Sequence, residues 1–387
     1  MKEITRRSFM KTTGTVALGA ALGSLAPRKA WSSGVPTIKM AYILSDHHAP
    51  LMVAATQGEL FDQEYKTWLK PLNPAKLYEL YDHGSSIARV QLIPTKKGSD
   101  VEKLVANGSV DMAISGTQSI MASIDKGVDT KIISPLQTAG NVFVLKKEIP
   151  VETWDSFVAY VKGQGKQFKI GMPGPQTVSA IIFRSALDYE GVTYTEDSRD
   201  NKADILFINM KGHGNLVAAL SNNITEGIIG AQPFPSVTID QGIGRQILNL
   251  QDVPPAQRWA GHACCSLEAT GTFMTQEPEL VGRVLSLMAL GVEVANTRKD
   301  LTAQACSSWL GVSESVEIMA MQTMTYTTVA TERWIESVNI YAQTMDGMGM
   351  FDGKLKGVQG SALEAAAFDF AMMNNATRQL KAKGLIA

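Results

Sequence analysis

From Thr37 to Leu250, short apolar runs alternate with stretches of helical period, and this alternation narrows the fold more than any other feature. A strand, a helix and a returning strand in one sheet need a crossover, which builds parallel strands with helices packed on their faces. Residues 37–43 read as a strand ending in the polar turn Ser45-Asp46-His47-His48. Pro50 then opens a helix reaching 61, where its missing N–H costs nothing. Strands follow at 89–94, 110–114 and 131–135. Between them lie a helix at 99–107, capped by Ser99 or Asp100, and another from Gly116-Thr117 to Gly127. Segment 60–86 breaks the alternation and reads as an insertion.

A second alternating unit begins with the unbroken apolar run 141–145, as in a strand buried on both faces. Helices are expected at 151–161, 177–189 and 213–220, and strands at 168–172, 205–210, 226–229 and 245–250. Pro254-Pro255 carries the chain to a further strand at 264–269, and from 277 onward the texture is helical. The expectation is an α/β protein of two lobes joined by a hinge: 35–140, then 141–253, then a return at 254–387 with extra C-terminal helices. Two crossings leave a cleft, and open α/β sheets bind ligands beyond the carboxyl ends of their strands.

The first thirty residues read as an address. Thr5-Arg6-Arg7-Ser8-Phe9-Met10-Lys11 precedes the uncharged stretch 12–26 and then Arg28-Lys29-Ala30. A basic start, a short Gly/Ala-rich apolar run and small residues near a cut mark a signal peptide, too short for a membrane helix. The arginine pair resembles the twin-arginine export motif, which implies that machinery as a partner and the periplasm as destination. No later apolar run is expected to approach membrane length. The 36 basic and 37 acidic residues nearly balance, and no basic run follows the leader, which argues against a nucleic-acid partner. The 45% hydrophobic content argues against disorder.

Four segments, in order, resemble one family. They are Ala49 to Phe61, Gly98 to Ile114 with Leu104-Val105-Ala106-Asn107-Gly108-Ser109-Val110-Asp111, Leu216 to Phe234, and Trp259 to Ser266. Together they are similar to the substrate-binding proteins of ABC importers of the nitrate/sulfonate/taurine type. Gln232 stands where many members have Glu, and Ala263 where Pro is common. The resemblance implies a type II periplasmic binding protein fold and a soluble, monomeric receptor. Its partners would be a small solute (an anion, sulfonate or small heterocycle) and an inner-membrane ABC permease. No cofactor and no enzymatic activity are implied.

Candidate ligand contacts lie where strands end or helices begin. Ser45, Asp46, His47 and His48 close the first strand; on an extended chain, neighbouring side chains face opposite ways, so both histidines would not ligate one metal. Gly116 and Thr117, and Gln176 and Thr177, open helices whose N–H groups favour an anion or carbonyl. Thr138 and Asn141 flank the first crossover, where Gly140 can absorb rotation. Gln232 follows a strand of the second unit.

Two other readings compete. Relatives of this fold that make the thiamine pyrimidine lean on a cysteine cluster and a reactive histidine, of which Cys264-Cys265 would be the remnant. Metal capture, of copper above all, would use Met345, Met348 and Met350, the histidines and the thiols. The 18 methionines throughout the chain favour core filling for those three, and buried free thiols are the simpler expectation for Cys264, Cys265 and Cys306.

Overall fold

The computed structural model describes residues 34–386, so the leader and its arginine pair lie outside the described residues. The chain begins with β1 (Thr37–Ile43), α1 (Ala49–Thr56) and α2 (Gly58–Tyr65), then β2 (Thr67–Asn73), β3 (Leu77–Asp82) and β4 (Ser85–Thr95). Next come α3 (Gly98–Ala106), β5 (Met112–Gly116), α4 (Thr117–Asp125) and β6 (Thr130–Ala139). A second run holds β7 (Asn141–Lys146), α5 (Trp154–Gly163), β8 (Phe168–Met172), α6 (Val178–Glu190), β9 (Tyr194–Thr195) and β10 (Ile205–Asn209). It continues through α7 (Leu216–Ser221), β11 (Gly227–Ala231), α8 (Phe234–Asp240) and β12 (Gly244–Asn249). The last part comprises β13 (Ala263–Thr270), α9 (Gly271–Gln276), α10 (Pro278–Thr297), α11 (Lys299–Leu310), α12 (Glu314–Met321) and β14 (Met324–Tyr326). Helices α13 (Glu332–Gly347), α14 (Gly360–Ala367) and α15 (Ala371–Ala382) finish it.

The strands form an eight-stranded sheet, ordered β14-β6-β13-β5-β1-β4-β3-β2, and a six-stranded sheet, ordered β12-β7-β11-β8-β10-β9. Parallel pairing holds at β1 with β4 and β5, and at β8 with β10 and β11. The all-parallel expectation fails elsewhere. β13 returns to the first sheet from the second and runs antiparallel between β5 and β6, and β7 runs antiparallel to β11 and β12. A strand that enters a sheet by a direct crossing, without a helical crossover, has no reason to be parallel.

The segment that broke the alternation is an edge. β2, β3 and β4 form an antiparallel meander that widens the first sheet, with Trp68 stacked on Tyr81 at 4.9 Å. The helix expected at 50–61 is two helices, because the chain turns at Gln57 before α2. Neither Ser99 nor Asp100 caps α3. Its cap is Lys97, in extended backbone without a side-chain bond.

One expectation about membranes needs correcting. α10 is long and apolar enough to cross a bilayer, yet 67% of it is buried as a core helix of the first sheet. It packs so closely on α1 that a Cβ at Gly291 would sit 2.4 Å from the Pro50 carbonyl oxygen. Trp154, Trp309 and Trp334 pack on helix faces, the first bonded to Glu190 and the second to the Tyr42 hydroxyl. Met345 is buried in the second core, as volume filling predicts.

Candidate functional site

Where strands of both sheets end, the chain lines a small, partly open cavity of about 30 Å³. It is lined by the turn after β1, the start of α4, Asn141, the start of α6, His213, the end of β11, and Cys264 and Cys265. Parallel strands point their carboxyl ends to one edge, so loops distant in sequence converge there. The sheets are bridged at this edge. Ser45 Oγ donates to the Gln232 carbonyl at 2.6 Å, and Gln118 Nε2 donates to the Gln176 carbonyl at 3.2 Å.

The crossover from β6 to β7 passes beneath. Ala139 and Gly140 sit consecutively in left-handed backbone, at φ 62° and 74°. The Gly140 carbonyl accepts from His47 Nε2 at 2.9 Å and from the Gln232 amide at 3.1 Å. A carbonyl only accepts, so His47 carries a proton on Nε2, and in the neutral ring Nδ1 is the lone pair.

That lone pair faces two thiols. Cys264 Sγ lies 3.3 Å and Cys265 Sγ 3.8 Å from His47 Nδ1, and the two sulfurs are 3.9 Å apart. Adjacent residues of a regular strand face opposite sides, so this needs an irregular ladder. Opposite β6 the register slips: Ala263 pairs with Thr138 and Cys265 with Gln137, leaving Cys264 as the extra residue. Such a bulge re-aims a side chain. Asn141 Nδ2 approaches Cys264 Sγ at 3.2 Å as a donor. Burial works against ionising Cys264, but hydrogen bonding with Cys265, the neighbouring His47 charge and bonds to His262 and His47 outweigh it and hold the thiol below its ordinary range. Cys265, bonded to Cys264 and buried, is pushed up. All three cysteines are free and buried, and Cys306 belongs to the first core, away from the cavity.

Two further imidazoles reach the cavity. His48 accepts from the Ile43 amide at 3.2 Å and His213 from the Ala231 amide at 3.3 Å. Burial, with the His47 charge adding to it, lowers both to about 3, so each is neutral. With Nδ1 accepting, each neutral ring keeps its proton on Nε2, so His48 and His213 act as N–H donors and bring no charge. Among the described residues, neither lysine nor arginine lines the cavity. Beneath it, Asp46 is wholly buried against Glu317, itself buried. Burial and the Glu317 charge push Asp46 well above the carboxylate range, and burial lifts Glu317 to about 8.

Of the residues singled out in the sequence, Ser45, His47, His48, Gly116, Asn141 and Thr177 line the cavity. Asp46 turns away toward Glu317. Thr117 is fully buried with its hydroxyl on Ser266 at 2.7 Å, and its neighbour Gln118 takes the lining position. Thr138 donates to the Thr325 carbonyl of β14, outside the cavity. Gln176 is exposed and contributes only its carbonyl. Gln232 is wholly buried; its Oε1 accepts from the Ser236 amide, and its backbone, not its side chain, meets Ser45. The candidate contacts left out Gln118, His213, Cys264 and Cys265, all of which line the cavity. His213 carried a signal, since it opens a helical turn after β10 where a strand end points.

A model of the NMT1-like family matches residues 32–310. An uncharacterized protein of Methanocaldococcus jannaschii is 38% identical over 108 residues, 28% of this chain and 74% of that protein. The periplasmic nitrate-binding protein NrtA of Synechocystis PCC 6803 superposes with a TM-score of 0.67 at 16% identity, over 91% of both chains. A zinc-bound ligand-binding component of an ABC-type import system from Staphylococcus aureus gives 0.66 at 16% identity, over 89% of this chain and 99% of that one. The alkanesulfonate-binding protein SsuA of Xanthomonas axonopodis pv. citri, bound to MOPS, gives 0.62 at 12% identity, over 87% and 99%. At these identities the likeness establishes the fold, that of the periplasmic binding proteins.

Proposed function

The chain belongs to the NMT1-like family, and from that premise we propose that it is a soluble receptor that captures a small solute between its sheets and delivers it to an ABC import permease. The observation that carries this reading is the cavity at the strand ends, bridged from sheet to sheet by Ser45 and Gln232. A solute there gains contacts to both sides only when they meet, which makes closure depend on the solute. We read 35–140 and 254–387 as one lobe and 141–253 as the other, hinged at Gly140 and again near 254. The receptor would act as a monomer in the periplasm, exported through the twin-arginine route. It would not be an enzyme.

A thermal-shift screen against nitrate, sulfonates, pyrimidines and metal ions tests the reading. A ligand at 100 times its Kd adds about 2.7 kcal/mol of stability. Small-angle scattering on each hit then reports closure. If no hit compacts the protein, the receptor reading fails. Export is tested by Arg6→Lys with Arg7→Lys, which should leave precursor in the cytoplasm.

A further inference from the structure

We infer that His47, Cys264 and Cys265 form a binding site for a thiophilic metal ion, zinc(II) or copper(I), with a coordination position open to the cavity. The inference deepens the receptor reading by naming the class of cargo, and it rests on that reading only for the word cargo.

The geometry comes first. His47 Nδ1 and the two sulfurs all lie within 4.8 Å of one another. From the separations of 3.3, 3.8 and 3.9 Å, a point equidistant from the three atoms lies about 2.1 Å from each, close to the ~2.0–2.1 Å of Zn–N and ~2.3 Å of Zn–S bonds. No side chain has to move far to close the shell. The bulge at Cys264 is what makes this triangle.

The surroundings are those of a metal site. Metal-bound histidines hand their other ring nitrogen to an acceptor, which fixes tautomer and orientation. Here the Gly140 carbonyl takes that N–H at 2.9 Å, and Gly140 can approach so closely because it lacks a Cβ, which would sit 2.6 Å from His47 Nε2. Asn141 Nδ2, 3.2 Å from Cys264 Sγ, supplies a donor to the thiolate.

Size and charge decide against the other solute classes in this conformation. A cavity of about 30 Å³ holds an ion with a water or two, not an organic sulfonate. Among the described residues no lysine or arginine lines the cavity to pair with an anion such as nitrate, while two sulfurs and an imidazole nitrogen converge on one point, a donor set for a cation. Thiolate with imidazole selects zinc(II) or copper(I) over magnesium or calcium. His48 and His213 line the same cavity with Nδ1 already accepting from backbone amides, so their neutral rings keep an N–H at Nε2, a donor suited to a water or hydroxide on the ion.

The test uses reduced protein stripped with a chelator. Titration with cobalt(II) should give one-to-one binding with thiolate-to-cobalt charge-transfer absorption, and zinc(II) should displace it. Copper(I), delivered from a chromophoric chelator, separates the two candidate ions by relative affinity. Cys264→Ser, Cys265→Ser and His47→Ala should each weaken binding by more than the ~10–100-fold that second-shell changes cost, whereas Cys306→Ser should leave it unchanged. Circular dichroism checks that each variant is folded, and the absorption of the unsubstituted protein decides the case if one is not. Absence of the charge-transfer band overturns the site, as does wild-type affinity in the folded Cys264→Ser/Cys265→Ser double variant. Metal bound without compaction would sink the receptor reading and leave the site. Compaction on nitrate or a sulfonate by protein that binds no metal would do the reverse.

Discussion

Ser45 Oγ donates a 2.6 Å hydrogen bond to the Gln232 carbonyl, joining the turn after β1 in one sheet to the end of β11 in the other. The same oxygen accepts from the His47 amide at 3.3 Å and so shapes the turn that aims the imidazole. Ser45→Ala should cost about 0.5–1.5 kcal/mol in denaturant unfolding. It should also expand the molecule in small-angle scattering. An unchanged radius of gyration would mean that the bridge does not hold the sheets together.

Gly140 is constrained from two directions, by its left-handed backbone and by the imidazole against it. Gly140→Ala should destabilise the fold by about 1–3 kcal/mol, since a Cβ is strained at φ 74° and collides with His47 Nε2. An amide and imidazole NMR spectrum should show His47 displaced. Wild-type stability together with an unmoved His47 resonance would refute the argument.

Stability should fall as pH rises from about 4.5 to 7, through the pair Glu102 and Glu268. Burial lifts Glu102 to about 7, and burial with the Glu102 charge lifts Glu268 well above its ordinary range. A carboxyl whose folded pKa is raised binds more protons folded than unfolded. Its stabilisation is complete below the unfolded pKa and is lost as pH climbs through the folded one. Glu102→Gln should flatten the unfolding free energy over this range; parallel curves for the two proteins would exclude the pair as the cause.

The two threonines that open helices should part company. Thr117→Val breaks a buried bond to Ser266 and should cost about 1–2 kcal/mol of stability while leaving solute affinity unchanged. Thr177 lines the cavity, so Thr177→Val should weaken binding several-fold at little cost in stability. Equal affinity losses in both would contradict the placement of Thr117.

The elements were readable where period alone sets them: β1, β8 and β10 follow their apolar runs, and the turn after β1 falls at the cavity as strand-end logic requires. Direction was not readable for β13, because a crossing between sheets leaves no trace in local pattern. At the site, period misled for the histidines, and the cysteines depart from it. The two histidines occupy a helical turn, not extended chain, so both line the cavity. The two cysteines sit at a slip in the ladder, so alternation does not part them. His47 and Cys264 stand 217 positions apart, and only the folded sheet order brings them together. Thr117 shows the converse: a helix-opening hydroxyl reads alike in sequence whether it faces a cavity or, as here, a serine of the next strand.

The Gly140 carbonyl is both part of the joint between the sheets and the acceptor that keeps the His47 proton on Nε2. If Gly140 is the hinge proposed above, mechanics and acid–base chemistry are coupled there. A rotation about Gly140 would turn that oxygen away from the ring, and the proton would be free to migrate to Nδ1, the nitrogen that faces the thiols. An electron-pair donor would then become an N–H, and the sulfurs would lose their third companion at the moment the two halves part. Unlatching the molecule and discharging its contents would be one event.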